Sequence, residues 1–83
     1  MSDYNIWDAH KYSIRNAEAL KSCKTAACYY CRRFFYVSDI KEWTDNGETA
    51  LCPYCGIDAV LPETSPYPMT NEVLNELHEN WFR

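Results

Sequence analysis

The sequence predicts a small α+β domain in which an N-terminal and a C-terminal helix flank a cysteine-rich segment of short β-strands. Three observations predict this fold class. Two Cys-x-x-Cys pairs, Cys28/Cys31 and Cys52/Cys55, are separated by twenty residues in a chain of 83 residues. Apolar residues recur at helical spacing before the first pair and after the second, and strand-favouring residues flank both pairs. A chain this short is expected to form one domain over residues 1–83.

The first predicted element is an amphipathic helix over residues 8–24. Its apolar stripe recurs every three to four residues, and its charged side chains lie mostly on the other side. One helix of about five turns is therefore expected to lead towards the first cysteine pair. The stripe comprises Ala9, Tyr12, Asn16, Ala19 or Leu20, and Cys23, and the charged residues are Lys11, Arg15, Glu18 and Lys21.

The central segment, residues 28–61, is predicted to carry both cysteine pairs and three short strands. Aromatic and β-branched residues are dense from Cys28 to Val37, which favours a turn followed by a strand. Ser38 is expected to end this strand and to cap a short helix over residues 39–44.

The sequence Asp45-Asn46-Gly47 is typical of a turn, and it is expected to end that short helix. Residues 49–51 then favour a strand that runs into the second cysteine pair, and residues 57–61 favour a strand that leaves it. Paired Cys-x-x-Cys turns between short strands are the order of elements found in a zinc ribbon.

The last two predicted elements are a connector over residues 62–69 and a helix over residues 70–82. The connector contains three prolines, so we expect an extended, stiff segment rather than a helix or a central strand. Thr70 is the expected N-cap of the helix, with Met69 and Leu74 spaced as a hydrophobic staple around it. The apolar stripe of this helix should pack against the rest of the chain. It consists of Val73, Leu74, Leu77, Trp81 and Phe82.

The two cysteine pairs predict a zinc site whose ligands are Cys28, Cys31, Cys52 and Cys55. Zinc prefers four ligands in a tetrahedron, and each Cys-x-x-Cys turn, here called a knuckle, presents two sulfurs to one metal. Four thiolates leave no coordination position for water or substrate. We therefore expect one structural Zn²⁺ per chain and no catalysis at the metal.

The two knuckles differ in the residue that follows the second cysteine. Gly56 follows the second knuckle and permits the left-handed conformation that is common at this position, while Pro53 presets the turn. Arg32 and Arg33 follow the first knuckle. Either this knuckle is less regular, or the arginines offset the charge of the thiolates.

Several alternatives to this site use the same residues. Iron in a rubredoxin-like centre would take the same four cysteines. A secreted disulfide scaffold is disfavoured by the odd number of cysteines, which is five, and by the polar start of the chain without an apolar leader. Cys23 could be a redox group or a further ligand, but we expect a small apolar residue at the end of the first helix. His10 and His78 could replace a cysteine, but four well-spaced cysteines make this unnecessary.

The net charge of −4 is unevenly distributed. Residues 1–33 hold six basic and three acidic groups (+3), and residues 34–83 hold two basic and nine acidic groups (−7). Four thiolates and one Zn²⁺ would bring the total to about −6, which disfavours binding to nucleic acid by bulk charge. No apolar run approaches the ~20 residues of a membrane helix, so a reducing cytoplasmic location is expected.

The functional prediction is a non-enzymatic adaptor or regulator that binds another protein, because the metal is saturated and no paired acid and base or nucleophile and base is evident. Aromatic residues make up 16% of the chain, and a contact patch is expected among Tyr29, Tyr30, Phe35 and Trp43. One alternative is a nucleic-acid-binding zinc ribbon with Arg32, Arg33, Lys21 and Lys24 on the phosphates. Another is a thiol-redox protein, which requires metal-free thiolates.

Residues 28–61 also resemble a family of short bacterial "cytoplasmic proteins" of the zinc-ribbon type. The resemblance lies in Glu42-Trp43-Thr44-Asp45 and in Thr49-Ala50-Leu51-Cys52-Pro53-Tyr54-Cys55-Gly56-Ile57-Asp58, and it extends through Tyr67-Pro68-Met69-Thr70 to His78 and Trp81-Phe82. It implies a metal-binding, bacterial or phage-encoded intracellular protein with a ribbon fold. It implies no particular activity, since fold analogy does not carry function.

Overall fold

Residues 5–82 are described by a computed structural model in which short antiparallel strands and short helices alternate. The predicted α+β class is therefore confirmed. No helix in these residues is long and apolar enough to cross a membrane. The helices are α1 (Ala9–Ser13), α2 (Ala17–Lys21) and α3 (Asn71–Trp81), with 3-10 turns at Ile6–Asp8 and Val37–Asp39. The strands are β1 (Thr25–Cys28), β2 (Arg33–Tyr36), β3 (Trp43–Thr44), β4 (Thr49–Ala50) and β5 (Val60–Pro62).

The strands form two antiparallel sheets that hold the two knuckles. The larger sheet has the order β2-β1-β5, and β1 lies in its centre. Cys28 is opposite Arg33 on one side and Val60 on the other. The smaller sheet pairs β3 with β4. The first knuckle thus joins β1 to β2 within the larger sheet. The second knuckle lies between β4 and β5, so it links the smaller sheet to the larger one.

The prediction of a single helix over residues 8–24 is wrong. The helix is divided into α1 and α2. Ile14 is extended (φ −114°, ψ 150°), and Arg15 has a left-handed backbone with a φ of 48°. The periodic stripe of apolar residues is real, but the chain turns in its middle.

Hydrogen bonds to β4 explain this break. The backbone N–H of Arg15 donates to Thr49 Oγ1 at 2.8 Å, and the N–H of Ala17 donates to the carbonyl of Glu48 at 2.9 Å. In a continuous helix these N–H groups would bond to carbonyls within the helix. The break therefore docks the N-terminal segment onto the strand that leads into the second knuckle.

Asn16, in the same break, joins the two strands that flank the second knuckle. Its side chain is only 4% exposed. Its Oδ1 accepts from the backbone N–H of Ala50 at 3.1 Å, and its Nδ2 donates to the carbonyls of Val60 at 2.9 Å and Tyr12 at 3.3 Å. A buried amide that makes three hydrogen bonds satisfies backbone groups that no ladder reaches.

The prediction of a short helix over residues 39–44 is also wrong. A 3-10 turn at Val37–Asp39 and the strand β3 replace it. Tyr36 is the N-cap residue of this turn, in place of Ser38, and the carboxylate of Asp39 accepts from its backbone N–H at 3.2 Å. Residues 43–44 pair with β4 instead of continuing a helix, because the sheet offers them hydrogen-bond partners.

The strand after the second knuckle lies at Val60–Pro62, later than the predicted residues 57–61. Pro62 fits there because β5 is an edge strand, where a missing N–H leaves no ladder bond unmade. The connector contains no helix, as predicted, but it is not simply extended. The backbone N–H of Ser65 bonds to the carbonyl of Pro62 at 3.0 Å, so the chain turns directly after β5.

The C-terminal helix confirms the prediction from its cap and stripe. Thr70 Oγ1 accepts from the backbone N–H of Val73 at 3.2 Å, as an N-cap does. Val73, Leu74 and Leu77 are buried, and α3 packs against the N-terminal 3-10 turn. The core that this packing completes includes Ala9, Leu20, Ala27, Tyr29, Val60, Leu61, Tyr67, Leu74 and Leu77.

Replacing Trp81 by alanine is expected to lower the free energy of unfolding by about 2 kcal/mol, less than the 3–5 kcal/mol of a fully buried Trp. Trp81 is half-buried, packs against Trp7 and donates from its indole N–H to the carbonyl of Ile6 at 2.7 Å. Urea unfolding at equal metal content is the measurement. The control Glu79→Ala, at an exposed position of α3, should change stability by no more than about 0.5 kcal/mol. Equal stability of both variants would mean that the side chain of Trp81, at the end of the apolar stripe, does not stabilise the fold.

Candidate metal centre

The four cysteines of the two knuckles lie together at one point. Their sulfur atoms are all within 4.8 Å of one another, and the pairs Cys28/Cys55 and Cys31/Cys52 are 3.6 Å apart. Sulfurs placed about 2.3 Å from a central ion at the corners of a tetrahedron are about 3.8 Å apart. The four side chains are thus positioned to bind one metal ion, and the predicted ligands are the ones that the fold brings together.

Backbone N–H groups of the knuckles point at the sulfurs. The N–H of Tyr30 is 3.3 Å from the sulfur of Cys28, and the N–H groups of Tyr54 and Cys55 are 3.4 and 3.5 Å from the sulfur of Cys52. Such donors stabilise the thiolate form, which is the form that binds a metal. This arrangement is a property of the turn itself, so the knuckles present the sulfurs in a metal-binding orientation.

Both knuckles close in the same way, although only one carries a glycine. The N–H of Arg32 bonds to the carbonyl of Cys28 at 2.8 Å, and the N–H of Gly56 bonds to the carbonyl of Cys52 at 2.9 Å. Arg32 has a φ of 63° and Gly56 a φ of 78°. Of the two alternatives for the first knuckle, lower regularity is therefore excluded, because Arg32 adopts the left-handed conformation that glycine permits at Gly56.

This equivalence predicts opposite effects of two substitutions. Gly56→Ala should lower the free energy of unfolding by about 1 kcal/mol, because a side chain in the left-handed region costs about 1–2 kcal/mol and the reduced freedom of the unfolded chain offsets only part of this cost. Apart from its chain neighbours, no atom lies within 4 Å of an added Cβ at Gly56. The substitution therefore causes no steric clash, and its cost comes from the backbone conformation alone. Arg32→Gly should be neutral or stabilising by up to about 1 kcal/mol. Thermal unfolding of both metal-bound variants tests this, and a clearly destabilised Arg32→Gly would show that the guanidinium itself is required.

Without a cation, the cluster does not favour four thiolates. Burial raises the pKa of Cys28 far above its ordinary value and that of Cys31 to about 11. Burial also opposes ionisation of Cys52, but hydrogen bonds from the backbone N–H groups of Cys55 and Tyr54, together with those from the side chains of Cys31 and Cys55, lower the pKa of Cys52. Four thiolates at this distance would require a positive ion between them, so metal binding here would displace protons from the thiols.

An arginine and two aromatic rings join the knuckles on their outer side. The guanidinium of Arg33, directly after the first knuckle, lies 5.0 Å from the ring centre of Tyr54 in the second knuckle. The buried ring of Phe35 lies 6.1 Å from the same tyrosine. A cation over an aromatic face is attractive, so this contact helps to hold the knuckles together.

The remaining candidate ligands lie outside the cluster in the part of the chain that is described, residues 5–82. Cys23 is buried at the end of α2, as predicted, and its thiol donates to the carbonyl of Ala19 at 3.2 Å. His10 stacks on Trp81, and His78 packs beside Tyr30. Each of these three side chains contacts neighbouring groups of the fold and not the cluster.

The aromatic residues expected to form a contact patch are divided by the fold. Tyr29 and Phe35 are buried in the core, whereas Tyr30 and Trp43 are exposed. Tyr36 and Tyr54 were not part of the expected patch, and they are exposed too. Alternation along β2 explains why Phe35 is buried while Tyr36 is exposed, because neighbouring residues of a strand point to opposite faces.

The sequence analysis also did not identify the roles of two further residues of the site region. Asn16 and Thr49 hold the segments around the second knuckle, and both are buried polar residues.

Comparison of the chain with protein-family models, curated proteins and solved structures found no match.

Proposed function

We propose that the protein is a zinc ribbon that holds one structural Zn²⁺ on Cys28, Cys31, Cys52 and Cys55, and that it acts as a non-enzymatic adaptor or regulator by binding another protein. The four-cysteine cluster carries this proposal, since its sulfurs lie at the spacing of a closed tetrahedral shell. The same proposal includes a reducing, cytoplasmic location, in which thiols stay free to bind the metal.

Zinc is the metal that this ligand set suits best. Four thiolates in a tetrahedron select zinc or iron, and a four-cysteine shell is one of the established forms of structural zinc site. Iron in the same shell would be coloured and redox-active, so metal analysis of the purified protein separates the two metals.

The short secondary-structure elements support a structural role for the metal. Helices α1 and α2 have five residues each, and the longest strands have four. Isolated helices shorter than about 12–15 residues are marginal in water. Bound zinc contributes on the order of 10–16 kcal/mol in zinc-finger peptides, which is comparable with the stability of a whole domain.

Exposed aromatic side chains support the adaptor role. Trp7, Tyr36 and Tyr54 each expose more than half of their surface, and Trp43 is exposed as well. Tryptophan and tyrosine are enriched among the residues that carry binding energy at protein interfaces. A closed metal shell leaves the protein surface as the functional part of the molecule.

Affinity capture tests the adaptor role. The zinc-bound protein is used as bait in a lysate of the organism that encodes it, with and without nuclease treatment. We expect a protein partner that is retained after nuclease treatment and at moderate salt. Recovery of nucleic acid alone, with binding lost as salt rises, would instead support the nucleic-acid-binding ribbon in which Arg32 and Arg33 contact phosphates.

A further inference from the structure

An open apolar groove runs along α2 and lies apart from the four-cysteine cluster. Leu20, Lys21 and Val37 line its whole length. One half extends to Trp43 and has a volume of about 380 Å³. The other half extends to Tyr36 and has a volume of about 430 Å³. Each half is large enough for one or two large side chains of a ligand.

The groove has an apolar floor and aromatic ends. Leu20 is 1% exposed and forms the floor together with the half-buried Val37. Trp43 is 37% exposed at one end, and Tyr36 is 63% exposed at the other. An apolar floor between exposed aromatic side chains is typical of a surface that receives apolar anchors of a partner.

The charge of the groove is opposite to the charge of the chain. The chain carries −4, but the charged residues that line the groove in the described structure are Lys21 and Lys24, with no carboxylate among them. Lys21 is 3.4 Å from Glu18, and the carboxylate of Glu63 accepts from the backbone N–H of Lys24 at 2.7 Å. All four residues are exposed, so the attraction between these carboxylates and the two lysines is weak and screened by salt. The groove therefore favours a ligand with negative charge.

We propose that this groove binds a short acidic peptide segment of a partner protein. Large apolar side chains of the segment would lie on Leu20 and Val37, and its Asp or Glu side chains would face Lys21 and Lys24. This inference rests on the proposed adaptor function and specifies its surface and the chemistry of its partner. Single-stranded nucleic acid would also meet the two lysines and could stack its bases on the aromatic rings. However, two lysines offer few phosphate contacts, and the net charge of −4 opposes a polyanion.

Selection from a random-peptide display library on the zinc-bound protein tests the proposal. We expect enriched peptides that combine Leu, Phe or Trp with Asp or Glu. Lys21→Glu and Trp43→Ala should each weaken their binding by roughly tenfold or more, which corresponds to about 1.4 kcal/mol. The matched control is Lys41→Glu, because Lys41 is exposed outside the groove and both reversals change the net charge from −4 to −6 (−4 − 2). Circular dichroism and metal content show that each variant is folded.

Three results would overturn the proposal. These are no enrichment at all, enrichment of neutral or basic peptides, and equal weakening by Lys41→Glu and Lys21→Glu. Acidic peptides that bind but are insensitive to Trp43→Ala and Lys21→Glu would place the contact elsewhere, which rejects the groove and leaves the adaptor function intact. Failure of the capture experiment to yield any protein would count against the adaptor function itself, so the two failures are distinguishable.

Discussion

Replacing Cys55 by serine is expected to abolish both metal binding and cooperative unfolding. The cluster holds four sulfurs and no other candidate ligand in residues 5–82, so the loss of one leaves an incomplete shell. Structural zinc supplies on the order of 10–16 kcal/mol in zinc-finger peptides, so losing it removes a free energy comparable with the whole stability of a typical domain. Zinc stoichiometry by native mass spectrometry and thermal unfolding by circular dichroism are the measurements.

Cys23→Ser is the matched control for this substitution. Cys23 is buried, but its thiol bonds to the carbonyl of Ala19 and lies outside the cluster. The variant should keep one zinc per chain and unfold cooperatively. Loss of zinc from Cys23→Ser, or a fully zinc-bound and cooperatively folded Cys55→Ser, would show that the ligands are wrongly assigned.

Replacing Asn16 by alanine is expected to lower the free energy of unfolding by about 3–5 kcal/mol. The substitution leaves the N–H of Ala50 and the carbonyl of Val60 without their partner in the interior. Each buried polar group that loses its partner costs about 1–3 kcal/mol, and the cavity left by the amide adds to this. Urea unfolding of the metal-bound protein measures the effect.

Asn75→Ala provides the same chemical change at an exposed position of α3. Its effect should stay within about 0.5 kcal/mol, or be slightly stabilising because alanine favours a helix. If Asn16→Ala is as mild as Asn75→Ala, the amide does not hold the strands around the second knuckle, and the explanation of the helix break fails.

The features that local sequence signals determine were predicted well. Each Cys-x-x-Cys turn has a fixed internal geometry that presents two sulfurs, and one second turn of the same kind completes a set of four. The proximity of the four cysteines follows from this pairing. The helix α3 follows from the Thr70 cap and from a stripe that continues for three turns. In both cases the information lies within a few neighbouring residues.

The errors lie where distant segments compete for backbone hydrogen bonds. The periodicity of residues 8–24 is helical, but Arg15 and Ala17 bond to Thr49 and Glu48, more than thirty residues away. Likewise β1 was not predicted, because its short run of small residues becomes a strand only between β2 and β5. Such pairings override local preference, and single-sequence reasoning does not see them.

One signal in the sequence did point to the helix break. Asn16 lies on the apolar stripe of residues 8–24, where a polar side chain needs a buried partner. Asparagine also favours helix ends and turns over helix interiors. A buried polar residue within an apolar stripe is thus better interpreted as a junction between elements than as one tolerated exception.

X-ray absorption at the zinc edge of freshly purified, reduced protein tests the central claim most directly. The account predicts one zinc per chain surrounded by four sulfur atoms at about 2.3 Å, with no nitrogen or oxygen ligand. A protein without zinc, or a zinc shell that contains nitrogen or oxygen, would contradict a closed four-cysteine site and with it the structural role of the metal.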